Sequence, residues 1–465
     1  MDPRSLSFVT DACGGEMRAG APDALVRRVC TDSRKAQPGD LFIPLAGEKF
    51  DGHDFLEDVA ARGVAAVLVA RHRAGQAARL PAGIGLVHVD DTRAALGRLA
   101  ARYREDFDLP VVAIAGSNGK TTTKELLAAI LREQFATLWN EASFNNNVGV
   151  PLTLLNLERT HQAAVLEVGT NHPGELAPLV RIIRPRLGII TSIGREHLEF
   201  FGDVAGVAHE EGWLAELLPA DGVLILDGDS AWAEHLARRS RARGVTAGFG
   251  SGNRWRAGNV RLRETGTVFD VFSPHPEYSG EYRFPLVGRH QVRNALLALV
   301  AGCELGVRPD DARRGLAAVR PARRRLELWQ SAGVRVLDDS YNANADSMIA
   351  ALETLRDLPG TGRRLAVLGD MAELGPHTGE AHREVGHQCA RVGLDQLIAV
   401  GRWAGTTAQA AREAGLADVL EFTSVEEAQA ALSSWLRPGD TVLLKASRAS
   451  ALERLADAIR HRAGP

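Results

Sequence analysis

Four cysteines in 465 residues are few, and no two of them stand as Cys-x-x-Cys. Cys13, Cys30, Cys303 and Cys389 are scattered. That spacing excludes a disulfide framework and the usual zinc patterns, and it fits a reducing compartment. No apolar run approaches the roughly 20 residues needed to cross a bilayer. The opening Met1-Asp2-Pro3-Arg4 lacks the charged-then-apolar profile of a secretory leader. The reading is a cytoplasmic protein with no membrane insertion. Positive charge is not in excess either. Lys and Arg number 55 against 58 Asp and Glu, a formal net charge of −3. There is no basic footprint for nucleic acid. The arginine clusters at Arg238–Arg243 and Arg323–Arg325 read as solvated helix faces or anion contacts. Repeats of solenoid period and low-complexity tracts are missing as well. What remains is 45% hydrophobic and 24% charged, ordinary for a globular chain. The length suggests about three domains.

The most informative segment is Val111-Val112-Ala113-Ile114-Ala115-Gly116-Ser117-Asn118-Gly119-Lys120-Thr121-Thr122-Thr123. An apolar, β-branched run stops at a glycine, and Gly-Lys-Thr then opens a helix. Backbone N–H groups in such a loop, with the positive helix end, cradle phosphate oxygens. Lys120 supplies a point charge for the β- and γ-phosphates, and Thr121 a hydroxyl for Mg²⁺. The long form of this motif, Gly-x-x-x-x-Gly-Lys, would have its first glycine where Ile114 stands. The loop is therefore a short form, Gly-x-x-Gly-Lys-Thr. Leu126, Leu127, Ile130 and Leu131 follow at helical spacing, so strand, loop and helix fall where phosphate binding needs them. The alternative is a plain strand–turn–helix junction with a surface lysine.

Three zones follow one another. The first runs to about Phe107, with strand-like runs at Leu41–Ile43, Ala65–Val69 and Leu86–Val89 and helices near Phe55–Arg62 and Thr92–Arg104. Arg104–Asp108 reads as an acidic, polar linker. The second zone has buried-strand candidates at Ala163–Val168, Leu187–Ile193 and Val223–Leu226, with helices after Pro173 and around Val204–Leu218. Such alternation implies a mostly parallel sheet with ligands at the carboxyl ends of its strands. Val268–Leu286 reads as a β-ribbon and Asn294–Glu304 as a helix. The third zone, from about Arg320, alternates strands and helices from Val334–Leu337 to Val442–Leu444 and Ala449–Ile459. It reads as a small doubly wound domain. No Gly-x-Gly-x-x-Gly follows its first strand, which speaks against a dinucleotide cofactor.

Candidate metal ligands lie just past strand ends. Glu167 is a carboxylate inside an apolar strand, costly unless paired. A cation near the phosphates would pair with it; a strand-edge salt bridge is the plainer option. His197, in Thr191–Glu199, reads from its residues alone as a hydrogen-bonded structural histidine. Ser143–Pro151 is a dense asparagine turn, suited either to a phosphate or peptide ligand or simply to left-handed backbone. Asp338-Asp339-Ser340-Tyr341-Asn342-Ala343-Asn344 puts two carboxylates at a strand end, which looks like a ligand site. Arg325 before it can meet an anion bidentately.

From Thr31 to Arg448 these segments together resemble the Mur ligases of peptidoglycan synthesis. The family's short phosphate loop is similar to Gly116-Ser117-Asn118-Gly119-Lys120-Thr121. Its UDP-sugar signature resembles Thr31-Asp32-Ser33-Arg34, Pro38–Phe42 and Phe50-Asp51-Gly52-His53. Asn145-Asn146 through Pro151 resembles its asparagine turn, and Lys445-Ala446-Ser447-Arg448 its closing Lys-Gly-Ser-Arg. Asp338–Asn344 and Gly369-Asp370-Met371-Ala372-Glu373-Leu374-Gly375 resemble the branch that adds D-alanyl-D-alanine to UDP-N-acetylmuramoyl-tripeptide. The Asp-Asn-Pro-Arg of the branch adding the third residue is absent.

The resemblance implies an α/β chain of three domains. Residues 1–107 would bind the UDP-sugar, residues 108–319 would form a P-loop ATPase domain with a mostly parallel sheet, and residues 320–465 a Rossmann-like ligase domain. It implies ATP and two Mg²⁺ ions as cofactors, a monomer acting on small molecules, and ATP-driven amide formation through an acyl phosphate. ATP contacts would be Gly116, Ser117, Asn118, Gly119, Lys120, Thr121, Thr122, Asn294, Arg325 and Asp339. Metal ligands would be Thr121, Glu167, His197 and Glu211, and catalytic residues Lys120, His197 and Glu211. The UDP-sugar and peptide would meet Asp32, Ser33, Arg34, Phe50, Asp51, Gly52, His53, Asn145, Asn146, Asn342 and Asn344. Three departures stand out. Glu211 occupies the position of a lysine that most relatives carboxylate with CO₂, and is expected to substitute for it; Glu210 beside it is the other candidate. Gln291 replaces a usual Asn, and Ala345 a usual Pro.

Overall fold

The computed structural model describes residues 1–461. The chain divides into two compact units. One comprises Met1–Ala113, Phe135–Thr170 and Gly174–Leu187; the other Ile114–Gln134, Asn171–Pro173 and everything from Gly188 on.

The first unit is built on a five-stranded sheet in the order Glu16–Ala19, Gly85–Val89, Ala66–Ala70, Asp40–Phe42, Arg28–Cys30. Only the Glu16–Ala19 edge is antiparallel. Ala66–Ala70 is buried along its whole length, as a central parallel strand should be. The helix Thr92–Arg104 begins at Asp91, whose carboxylate caps Ala94 N. A second strand pair, Thr137–Trp139 with Ala163–Glu167, is parallel. The expected linker is packed instead of loose. The Arg104 guanidinium donates to the carbonyls of Ile183, Phe107 and Leu109, and both Arg104 and Phe107 are buried. A buried guanidinium needs those acceptors, so the turn is pinned rather than mobile.

In the second unit, Trp255–Arg263, Gly266–Phe272 and Gly280–Phe284 form the expected ribbon. Neighbours among the three are antiparallel, and Trp255–Arg263 joins them in parallel to Arg243–Gly248, which is itself parallel to Val223–Asp227. The sheet runs on through Leu187–Ile190 to the end of Val111–Ala115, where Thr191 N donates to Ala115 O at 3.0 Å. The helix Lys120–Arg132 covers it with Leu126, Leu127, Ile130 and Leu131, all fully buried. Each such side chain contributes about 1.5–3 kcal/mol relative to an exposed one. The C-terminal sheet is ordered Glu327–Ser331, Val334–Asp339, Thr441–Lys445, Arg364–Leu368, Gln396–Val400, Val419–Phe422. Beyond one antiparallel hairpin every pairing is parallel, and separate hydrophobic clusters cover its two faces. This is the doubly wound architecture expected. Among the described residues no helix is long and apolar enough to cross a membrane.

Candidate active site

The phosphate loop is set by two glycines with positive φ, Gly116 at 113° and Gly119 at 89°. A Cβ on Gly119 would lie 2.4 Å from Asn294 Oδ1. Only glycine allows both the left-handed turn and this close approach. Neighbouring residues then tie the loop down. Thr191 Oγ1 donates to Asn118 O at 2.6 Å, Ser192 Oγ accepts from Asn118 N at 2.9 Å, and Ser117 Oγ accepts from Gly194 N at 2.9 Å. The Lys120 ammonium folds back onto the carbonyls of Gly116 and Ser117, and stands 3.4 Å from Glu196 Oε2. Thr121 and Thr122 are buried at the start of the helix.

Glu211 reaches this loop from the end of the helix Val204–Glu211. It is 1% exposed, and its Oε2 accepts from Gly116 N at 2.7 Å. Burial pushes its carboxyl up to about 8, against the opposing pull of Lys120. Its Oε1 has no hydrogen-bond partner among the described residues. A buried carboxylate oxygen left so is costly, and its chemistry fits a cation or proton. His197 sits at φ 49°, with Nδ1 2.5 Å from Glu373 Oε2 and Nε2 4.0 Å from Glu196 Oε2. Two residues earlier, Arg195 Nε donates to Asp346 Oδ1 at 2.9 Å, Arg195 N donates to Asp346 Oδ2 at 2.7 Å, and the guanidinium also pairs with Glu384. Asn344 caps the helix Ala345–Asp357, and its Nδ2 donates to Asn118 Oδ1 at 3.0 Å. The C-terminal sheet and the phosphate loop are thus joined residue to residue.

Beside Gly119, Asn294 Nδ2 donates to Gln291 Oε1 at 2.9 Å. The Gln291 departure therefore supports Asn294. Asp339 receives Leu326 N at 3.1 Å and Lys445 Nζ at 2.5 Å. Of the two adjacent carboxylates, Asp338 is the inward one; it accepts from Ser340 Oγ at 2.6 Å and burial raises its pKa. The Arg325 guanidinium lies 4.2 Å from the Tyr341 ring centroid, with Arg448 at 5.6 Å. Asn342 holds the closing motif, accepting from Lys445 Nζ at 3.0 Å and from Arg448 N at 3.4 Å.

In the first unit, Glu167 is 1% exposed at the end of Ala163–Glu167. Asn145 Nδ2 donates to its Oε1 at 2.8 Å, and Oε2 has no hydrogen-bond partner among the described residues. The buried Asn140 accepts from Glu167 N and donates to Glu167 O and Phe144 O, fixing the asparagine turn to the strand end. Asn146 Oδ1 accepts from Gly149 N at 2.9 Å, where the short helix Gly149–Leu154 begins. Asp32 caps the turn Ser33–Lys35, and Arg34 holds its carboxyl down to about 2. Phe50 is the most exposed large hydrophobic side chain among the described residues. His53 is buried with both nitrogens engaged: Nδ1 at 2.7 Å from Asp51 Oδ1, and Nε2 accepting from Ala70 N at 3.1 Å. Asp51 also pairs with Arg73 at 2.9 Å. In this structure His53 locks the loop. Asn344, grouped above with peptide contacts, serves as a cap and a link to the phosphate loop.

Family models match along this chain in three consecutive segments: "Mur ligase family, catalytic domain" over residues 25–104, "Mur ligase middle domain" over 114–302 and "Mur ligase, glutamate ligase domain" over 324–448. The chain belongs to the Mur ligase family. It is 36% identical to the UDP-N-acetylmuramoyl-tripeptide--D-alanyl-D-alanine ligase of Escherichia coli, over 98% of each chain. It is 35% identical to the enzyme of the same name from Bacillus subtilis, over 93% of this chain and 92% of that one. A crystal structure of MurF from Acinetobacter baumannii matches with a TM-score of 0.89 and 32% identity, covering 99% of both chains. The MurF ligase of Thermotoga maritima, solved in complex with ADP, matches at 0.80 and 25% identity, covering 94% of this chain and 97% of that one.

Several residues around the loop carry no signal in the sequence. Glu196, 7% exposed beside Lys120, is an ordinary carboxylate in the sequence and is singled out only by the lysine the fold brings to it. Asn140 gives no local signal outside its turn. Glu373, Asp346 and Glu384 act through contacts that no spacing encodes. Among the described residues, no group of three or more His, Cys, Asp or Glu is gathered closely enough to hold a metal ion by itself.

Proposed function

We propose that this Mur ligase joins D-alanyl-D-alanine to the C-terminal carboxylate of UDP-N-acetylmuramoyl-tripeptide, consuming ATP and releasing ADP and phosphate. The end-to-end identity with the E. coli enzyme of that name carries this reading. The phosphate-loop geometry supports it independently. A carboxylate is a poor acyl donor, because oxide is a hopeless leaving group. Its oxygen therefore attacks the γ-phosphorus, the bond to the ADP oxygen breaks, and an acyl phosphate forms. The dipeptide amine then attacks the acyl carbon and loses a proton, and phosphate leaves with the substrate's oxygen. With a pKa of about 7.7–8.0, that amine needs little help to be neutral.

Positioning and charge do most of the work in such a transfer. The loop amides and Lys120 take the β- and γ-phosphates, and Lys120 exchanges its present carbonyl partners for them. Asn294, Arg325 and Asp339 hold the nucleoside. Asp32, Ser33, Arg34, Phe50, Asp51, Gly52 and His53, with Asn145 and Asn146, form the UDP-sugar and peptide side. Asn118–Asn344 and Arg195–Asp346 keep the C-terminal part on the loop, which shields the acyl phosphate from water. The orphaned oxygens of Glu211 and Glu167 fit a divalent cation. Thr121, His197 and Glu211 are the proposed Mg²⁺ contacts of one unit, and Glu167 that of the other. When bound, Mg²⁺ neutralises phosphate charge. Glu211 supplies a carboxylate without modification, so turnover is independent of CO₂. Domain limits at 1–107, 108–319 and 320–465, a monomer and a cytoplasmic setting complete the proposal.

The test is ADP release with each substrate omitted in turn. ADP is expected once with ATP and UDP-tripeptide, and continuously only when D-alanyl-D-alanine is added. Lys120→Ala abolishes that release and leaves UDP-tripeptide affinity largely intact. ADP release indifferent to the tripeptide would replace the ligase reading with a nucleotide switch. A bicarbonate requirement would overturn the role given to Glu211.

A further inference from the structure

His197 and Glu373 face each other in left-handed backbone, at φ 49° and 59°. Residues with a Cβ avoid this region and persist there only where their surroundings over-determine them. Here each constrains the other, across 176 positions of sequence. Glu199 N donates to Glu373 O at 3.1 Å, and the Glu373 carboxylate lies 2.5 Å from His197 Nδ1. A carboxylate accepts, so in the neutral imidazole the shared proton sits on Nδ1 and Nε2 carries the lone pair. That second nitrogen is 4.0 Å from Glu196 Oε2, which in turn is 3.4 Å from Lys120 Nζ. The ring is thus held from the C-terminal domain on one side and faces the surroundings of the phosphate-loop lysine on the other.

The grip extends to the residues before it. Asp346 accepts from both the backbone and side chain of Arg195, and a Cβ on Gly194 would lie 2.5 Å from Asp346 Oδ2. The whole turn from Gly194 to His197 is clasped by carboxylates of the C-terminal domain. We propose that Glu373 is a positioning residue. It fixes the tautomer and orientation of His197 so that Nε2 is offered to the divalent cation of the nucleotide, and only while the C-terminal domain is docked. This rests on the reading of His197 as a cation contact. The side chain of Glu373 is 45% exposed. A solvent-exposed ion pair of that kind contributes little to stability, so a purely structural role and the proposed one predict different readouts.

The experiment measures Mn²⁺ affinity by titration calorimetry with ADP present, and thermal midpoint alongside, for wild type, Glu373→Ala, Glu373→Asp, His197→Ala and the double alanine variant. Outer partners of metal-bound histidines are worth about 10–100-fold in affinity. Glu373→Ala is expected to weaken Mn²⁺ by at least about tenfold with an unchanged midpoint. Glu373→Asp should restore most of the loss, and the double variant should be no weaker than His197→Ala alone. Steady-state kinetics should show a lower kcat with the KM for UDP-tripeptide preserved. Wild-type Mn²⁺ affinity in Glu373→Ala, with His197→Ala weakened, overturns the role of Glu373 and leaves the cation reading standing. Losses that simply add in the double variant overturn it equally. Wild-type affinity in His197→Ala removes both.

Discussion

Gly119 opens the helix that carries Lys120, and two constraints meet on it: a φ of 89° and the Asn294 amide where a Cβ would stand. Gly119→Ala violates both. The strained backbone alone costs about 1–2 kcal/mol, and Asn294 must leave Gln291 to make room. The variant is expected to lose stability by that order and to bind ADP at least tenfold more weakly (about 1.4 kcal/mol) by calorimetry. Wild-type ADP affinity would show that the loop tolerates a different entry. Gly119, Lys120 and Thr121 were legible in the sequence because a phosphate cradle needs those types at that spacing. Glu211 was legible only through likeness to relatives, and its burial beneath Gly116 is a fact of packing. Glu196 and Glu373 were not legible, since a carboxylate's importance here depends on what the fold brings to it.

At the scale of elements, the strand Val223–Asp227 ends on a carboxylate that is 5% exposed, paired with Arg293 of the helix Arg289–Glu304 at 3.3 Å. Burial dominates over that arginine and raises the carboxyl of Asp227 to about 6. The native state therefore holds a proton that the unfolded chain has already released. The stability this group contributes is present below pH 4 and is lost as pH rises through about 6. In Asp227→Asn that slope disappears. Its midpoint relative to wild type is expected to improve between pH 4 and 7 in thermal melts; a constant difference would contradict the buried-acid account. Elements with strong periodicity, such as Thr92–Arg104, were read closely from sequence. The helix expected from Asn294 begins earlier, at Arg289, because polar Arg289, His290 and Gln291 carry no apolar signal. The helix Ala404–Glu413 leaves little trace in the sequence for a related reason. It buries Ala404, Ala408, Ala410 and Ala411, small side chains with little hydrophobic contrast. The strand Glu327–Ser331 is a partly exposed edge with mixed polarity, which alternation rules overlook.

Over the whole molecule, composition and strand–helix alternation divide the sequence into three zones. The compact units, by contrast, number two. The reason lies in particular contacts. Asn344 on Asn118, Asp346 and Glu384 on Arg195, and Glu373 on His197 fasten the C-terminal sheet to the phosphate loop, and the second unit holds both. Sequence separations of this size leave no periodic trace, so the docking is a property of the fold alone. It is also what the chemistry requires, since an activated acyl group must meet an amine before it meets water. The account therefore turns on whether the peptide carboxylate is phosphorylated at all. UDP-N-acetylmuramoyl-tripeptide labelled with ¹⁸O in its terminal carboxylate, turned over with ATP and D-alanyl-D-alanine, decides this by mass spectrometry of the released phosphate. The expected result is one labelled oxygen transferred to each phosphate; phosphate free of label would contradict the account.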